Sequence, residues 1–146
     1  MKISQESNHS KERLAEEARS LVINAALDAI VFIDIRGVIT VWNKKAEKIF
    51  GWKQEEVIGK TLRDTIIPER HRKQYEKGLQ DYLESGESSL LNQIIEITAL
   101  NRDRVEFPVE FSVTTLRQNG SEFFCAFVRD ITERKKAEFE ILKANE

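Results

Sequence analysis

A single cysteine, Cys125, is all the thiol chemistry this 146-residue sequence has. One thiol per chain excludes an internal disulfide and any cysteine-based metal cluster. Its place inside an apolar run marks it as a small core residue rather than a nucleophile. Histidine is nearly as scarce, with only His9 and His71, and no spacing of histidines and carboxylates fits a metal site. Charge of one sign is also lacking: 23 basic and 25 acidic residues intermix to a net −2, which leaves no electrostatic footprint for nucleic acid or an anionic membrane. No apolar run approaches the roughly 20 residues of a membrane span, and the polar, charged start is unlike a signal peptide. The segment is therefore expected to act in the cytoplasm, without membrane contact of its own, unless an anchor precedes it. A glycine-rich phosphate loop and a histidine with triad partners are missing too, so no catalysis is expected within these residues. The carboxylates Glu55, Glu56, Glu84 and Glu133 read as solvated helix faces.

What is present is enough apolar residue, 40%, for one core. The chain is organised around Gly120 to Glu133. Phe123 to Val128 is an unbroken apolar, aromatic-rich run, expected to be a central strand buried on both faces. Directly after it come the capping types Asp130 and Thr132, with Glu133 three residues beyond Asp130, and then a charged helical pattern. A core strand thus hands over to a helix that leaves the domain.

Taken in order, the first ten residues are polar and expected to fray, and a helix is expected from Ser10. Its stripe of Leu14, Ala18, Leu21 and Ala25 suits a partner helix, while packing on the chain's own sheet is an equal alternative. Ile30–Asp34 and Val38–Trp42 around Arg36-Gly37 predict a hairpin. Asn43 caps a short helix, Lys44 to Phe50, that Gly51 stops, and a second helical turn ends at Gly59. Pro68 opens a longer helix reaching about Glu84, with Tyr75, Leu79, Tyr82 and Leu83 as its apolar face and Ser85-Gly86-Glu87 as its stop. His71, flanked by Arg70, Arg72 and Lys73, reads as solvated on a basic helix face. Two strands, 90–100 and 105–116, follow around Asn101–Arg104. In the second, Val105, Phe107, Val109, Phe111 and Val113 alternate with polar residues, and Pro108 fits an edge strand or bulge.

This order describes an α+β domain, a five-stranded antiparallel sheet with short helices on one face and helices flanking it at both ends. Asp28–Asp34, Trp42–Ala46, Phe50–Lys60 and Phe127–Arg134, in this order, resemble the PAS sensor domain. The resemblance spans roughly residues 27–134. It divides the chain into an N-terminal flanking helix, 1–26, a PAS core, 27–132, and the start of a C-terminal signalling helix, 133–146. It implies a sensory and dimerisation module that relays a signal to an output domain such as a histidine kinase or a cyclic-dinucleotide enzyme. Asp130 and Thr132 match the family's Asp-Ile-Thr relay segment, and Thr132 or Asp130 supplies the oxygen that caps the helix start. Ala137, Ile141 and Ala144 form a second stripe on a helix too short to stand alone. With Leu14, Ala18, Leu21 and Ala25 it is expected to pair two copies into a homodimer, the helices forming a coiled coil.

The family's cavity holds haem, flavin, small acids or nothing. In oxygen-sensing haem PAS domains, which share a strand like Phe107-Pro108, the ligand histidine falls where this chain has Tyr75, so haem is disfavoured. Flavin photochemistry lacks its cysteine, although Trp42 and Asn43 could offer a stacking surface and an amide to a redox flavin. Core packing for Trp42 and a cap for Asn43 are the stronger readings. Candidate pocket residues are Trp42, Asn43, Tyr75, Ile95, Phe111 and Val113. The bulk of Ile95, Ile97, Phe107, Phe111 and Val113 is expected to fill the cavity, which would make the domain a ligand-free structural spacer. A sensor of a small-molecule ligand remains the role the family implies, and no cofactor is evident. Where the family's turn before the fourth strand carries Asp-Gly, this chain has Asp103-Arg104, so a wider or re-registered turn is expected.

Overall fold

A computed structural model describes residues 2–88 and 90–145. Its elements are α1 (Lys2–Ala25), β1 (Ala29–Asp34), β2 (Ile39–Trp42), α2 (Lys44–Phe50), α3 (Gln54–Val57), α4 (Leu62–Ile66), a 3-10 turn (Glu69–His71), α5 (Arg72–Ser85), β3 (Ile95–Leu100), β4 (Glu106–Gln118), β5 (Ser121–Asp130) and α6 (Thr132–Ala144). The strands form one antiparallel sheet in the order β2-β1-β5-β4-β3. Strand β5 is its centre, as the apolar run requires. It is not buried on both faces throughout: Phe124, Cys125 and Val128 are buried, but Phe127 is 40% exposed.

Local chemistry sets the helix ends. Asn43 Oδ1 accepts the Ala46 amide, and Gly51 stops α2 with φ 81°. Gly86 closes α5 with φ 75°. Asn119 and Gly120, at φ 54° and 80°, make the two-residue turn of the β4–β5 hairpin, the positive pair such a turn needs. Trp42, Phe50, Ile39 and Val57 form a fully packed core under α2 and α3, with the Trp42 and Phe50 rings 5.3 Å apart and Phe107 5.7 Å beyond.

Several sequence expectations are corrected. The helix expected from Ser10 begins at Lys2, since residues 2–9 hold neither proline nor glycine to stop it. The strand expected from Leu90 begins at Ile95; Asn92 turns the chain with φ 59°, and Leu91 makes only an isolated bridge to Val113. Val105 is 56% exposed and precedes β4, and Leu83 is 46% exposed on α5. Pro108 lies on neither an edge strand nor a bulge: β4 runs between β3 and β5. The Pro108 carbonyl accepts the Ile131 amide at 3.1 Å, so its imide side faces the ground beyond the end of β5, where no ladder donor is needed. The β3–β4 turn is tight and in register. Arg104 itself takes φ 64°, and Asn101 Oδ1 accepts the Val105 amide at 3.0 Å to hold it there.

Candidate functional site: a cavity under the central strands

The inner sheet face turns apolar side chains toward α4 and α5, and these helices stand off far enough to leave a cavity of about 280 Å³. Tyr75 and Leu79 from α5, Ile95 from β3, Phe111 and Val113 from β4 and Phe124 from β5 are among its walls. The expected filling by bulky residues therefore holds only at the α2–α3 end. Phe107 packs there against Phe50, whereas Ile95, Phe111 and Val113 border open space.

Of the six candidate pocket residues, Tyr75, Ile95, Phe111 and Val113 line the cavity and Trp42 and Asn43 do not. Trp42 is buried with its indole N–H donating to the Trp52 carbonyl at 3.0 Å. Asn43 is a structural hub. Its Oδ1 accepts from Ile30 and Ala46 amides, both at 2.9 Å, and its Nδ2 donates to the carbonyls of Ile23 at 2.8 Å and Asp28 at 3.1 Å. His71, expected on a solvated face, is half-buried and borders the cavity at the start of α5. Its basic neighbours suggested water, whereas it closes the 3-10 turn that leads into α5, beside the cavity mouth.

Two tyrosines on α5 reach the cavity and differ in their partners. The buried Tyr82 hydroxyl donates to the Glu122 carboxylate on β5. The buried Tyr75 hydroxyl has no hydrogen-bond partner among the described residues. It lies beside the β1–β2 turn, where a Cβ on Gly37 would meet it at 3.4 Å. Burial, helped by the charges of Glu76 and Asp34, pushes Tyr75 up to about 12, so it is a protonated donor at neutral pH. Cys125 sits on the opposite sheet face, where burial pushes its thiol up to about 11.

The second feature is the exit of β5. Asp130, not Thr132, supplies the capping oxygen: Asp130 Oδ1 accepts the Thr132 amide at 2.9 Å and also the Thr132 hydroxyl. Buried Ile131 pins the junction to β4. The first turn of α6 then spans two carboxylates that stand directly opposite each other on the outer sheet face, Glu96 of β3 and Glu110 of β4. Arg134 bonds both, reaching Glu110 at 3.1 Å, and Lys135 reaches Glu96 at 2.7 Å. Like charges directly opposed repel, so these two cations hold the helix and relieve the strand pair together. This cluster was missed in the sequence because the pairing of Glu96 with Glu110 exists only once the register is known.

Both flanking helices join at this end of the sheet. Ala29, opening β1, pairs with Val128 near the end of β5, and Asp28 meets Arg129 at 3.0 Å. The stripe residues Leu14, Ala18, Leu21 and Ala25 on α1, and Ala137 and Ile141 on α6, are all exposed, so the alternative packing of α1 on its own sheet is not seen. Among the described residues no helix is long and apolar enough to cross a membrane, and no cluster of three potential metal ligands occurs.

The PAS family profile, described as the PAS fold, matches residues 17–131. The chain belongs to the PAS family. An uncharacterised protein of Azorhizobium caulinodans is 36% identical over 121 residues, which is 83% of this chain and 16% of that protein. The cell-division control histidine kinase PdhS of Brucella anthropi is 30% identical over 138 residues, 92% of this chain and 13% of the kinase. The chain thus spans under a fifth of the length of these relatives. The crystal structure of a PAS domain from a two-component sensor histidine kinase superposes with a TM-score of 0.66 at 18% identity, covering 82% of this chain and 98% of that one. As a PAS domain related to those of sensor histidine kinases, the chain is a sensory signalling module.

Proposed function

We propose that this PAS domain is a cytoplasmic, non-catalytic input and dimerisation module, in which what occupies the cavity biases how α1 and α6 are held. The observation that carries this reading is the double role of β5. Phe124, Ala126 and Val128 line the cavity, and four residues after Val128 the chain is already α6. A shift of these side chains has no flexible linker in which to dissipate before it reaches the helix. The test is to occupy the cavity from within by Ala126→Phe and follow amide exchange in α6. Altered protection of its first turn is expected, and identical protection with the fold intact would sink the reading.

The output, a histidine kinase or cyclic-dinucleotide enzyme, would be reached through paired helices. The exposed Leu14, Ala18, Leu21 and Ala25 stripe on α1 and Ala137 and Ile141 on α6 are the apolar surface for a second copy. The open cavity supports a sensor over a ligand-free spacer. At about 280 Å³ it falls at the small end of the range for ligand pockets, which disfavours haem and flavin.

A further inference from the structure

We propose, resting on the relay reading above, that Arg129 switches between two carboxylates: with α1 seated it pairs with Asp28, and when α1 is displaced it turns to Glu110 and competes for it with Arg134, which loosens the first turn of α6. Three observations carry this. The first is register. Arg129 stands directly opposite Glu110 of β4, Glu110 stands directly opposite Glu96 of β3, and Asp28 adjoins Ala29, the β1 partner of Val128. One row across the outer sheet face therefore reads Asp28, Arg129, Glu110, Glu96, a single cation among three carboxylates. Arg134 and Lys135 of α6 lie over its far end. Side chains directly opposed on neighbouring strands have Cβ atoms about 5 Å apart, a span a guanidinium on its flexible stem covers in either direction.

The second observation is how the partners are shared. Arg129 Nε donates to Asp28 Oδ1 at 3.0 Å and its Nη2 to Asp28 Oδ2 at 3.5 Å, and among the described residues its side chain bonds nothing else. The hydrogen bond and charge of Asp28 raise its pKa, and the charge of Glu110 acts in the same direction. Glu110 meanwhile accepts from Arg134 at 3.1 Å. Two guanidinium groups thus flank one carboxylate, and Arg134 holds it while Asp28 occupies Arg129. The third observation is what seats Asp28. Asn43 Nδ2 donates to the carbonyls of both Ile23, in the last turn of α1, and Asp28. A displacement of α1 reaches Asp28 through that shared amide. Side-chain exposures of 62% for Arg129 and 43% for Arg134 keep each pair weak, so the exchange is close to balanced and a small push moves it.

The experiment follows amide exchange in the whole chain by NMR, reading the Lys135 amide, which bonds the Ile131 carbonyl at 2.9 Å in the first turn of α6. Asp28→Asn removes the side-chain charge and keeps the backbone carbonyl that Asn43 uses. The Asp28 side chain bonds Arg129 and no residue of α6, yet its loss is expected to lower protection at Lys135 about two- to fivefold as Arg129 turns to Glu110. Arg129→Gln is expected to leave protection at or above the starting level, and Asp28→Asn in that background is expected to change nothing further, the non-additivity that marks a shared partner. An unaltered Lys135 amide in Asp28→Asn, with the fold intact by circular dichroism, would overturn the proposal. So would an equal loss from Asp28→Asn with and without Arg129, which would make the effect one of local folding. A loss in Arg129→Gln alone would also overturn it, making Arg129 a support of α6 rather than a competitor. Failure of the relay reading shows elsewhere, in an Ala126→Phe core that leaves α6 exchange untouched while the surface variants still report on Arg129.

Discussion

Asn43 does two jobs with one side chain. Its oxygen caps α2 and holds the Ile30 amide in β1, while its amide nitrogen ties down the last turn of α1. Asn43→Ala is expected to destabilise the domain by about 2–3 kcal/mol in urea unfolding, a lost cap plus a buried strand amide left unpaired. Asn43→Asp should keep the oxygen's two bonds but set a carboxylate against the Ile23 and Asp28 carbonyls, which would release the end of α1 preferentially. The cap was legible because Asn followed by a short periodic run and glycine is a local pattern. The bonds to Ile23 and Asp28 were not, because they join residues 15 and 20 positions apart. Arg104 teaches the converse. The lack of glycine argued against a left-handed residue, yet the Asn101 side chain closes the turn around it.

Elements were legible wherever a stop signal bounded them, and misread where only apolar content spoke. Leu90 and Leu91 look like strand, but they are a loop that dips into the cavity. Pattern alone does not separate an apolar residue paired in a ladder from one tucked under a helix. The same holds for α5: its face was visible in Tyr75, Leu79 and Tyr82, but its distance from the sheet, which decides whether a cavity exists, was not. At the start of α6, Glu96 faces Arg134 and Lys135, with Glu110 and Glu138 as the neighbouring carboxylates. The hydrogen bond from Lys135, joined by the charges of Lys135 and Arg134, holds Glu96 below its usual 4.5 despite some desolvation. A depressed carboxylate contributes stability that is whole above its unfolded value and lost as pH falls through its folded one. Chemical shifts of the first turn of α6 are thus expected to be steady from pH 7 to about 5 and to move toward coil values below about 4.5. Raised salt at pH 7 should weaken the same contact. A first turn indifferent to both would mean that Asp130 and Ile131 hold the helix unaided.

At the scale of the whole molecule, the antiparallel sheet, its helical cover and the two flanking helices could be read from the order of the segments, because apolar strand runs and periodic helical runs succeed one another with turn residues between most of them. Pairing between copies is a separate matter. Leu21 is 71% exposed and Leu14 65% exposed on α1, and on the proposed reading these are the residues a second copy would cover. Leu21→Glu is expected to shift the native mass from dimer to monomer while leaving the circular dichroism of the core unchanged. An unaltered dimer would move the contact to the outer sheet face, where Phe127 is 40% exposed.

The junctions of α1 and α6 with the sheet lie side by side, on neighbouring strands paired Ala29 to Val128. Topologically the domain is a bead hung on one point of a helical thread. It could be excised, or another bead threaded in, with little change in the distance between the two helix ends. What such editing does change is phase. Each residue added to or removed from α6 turns everything beyond it by about 100°. On the proposed reading, the number of residues after Asp130 would therefore set which face of α6 an output domain meets.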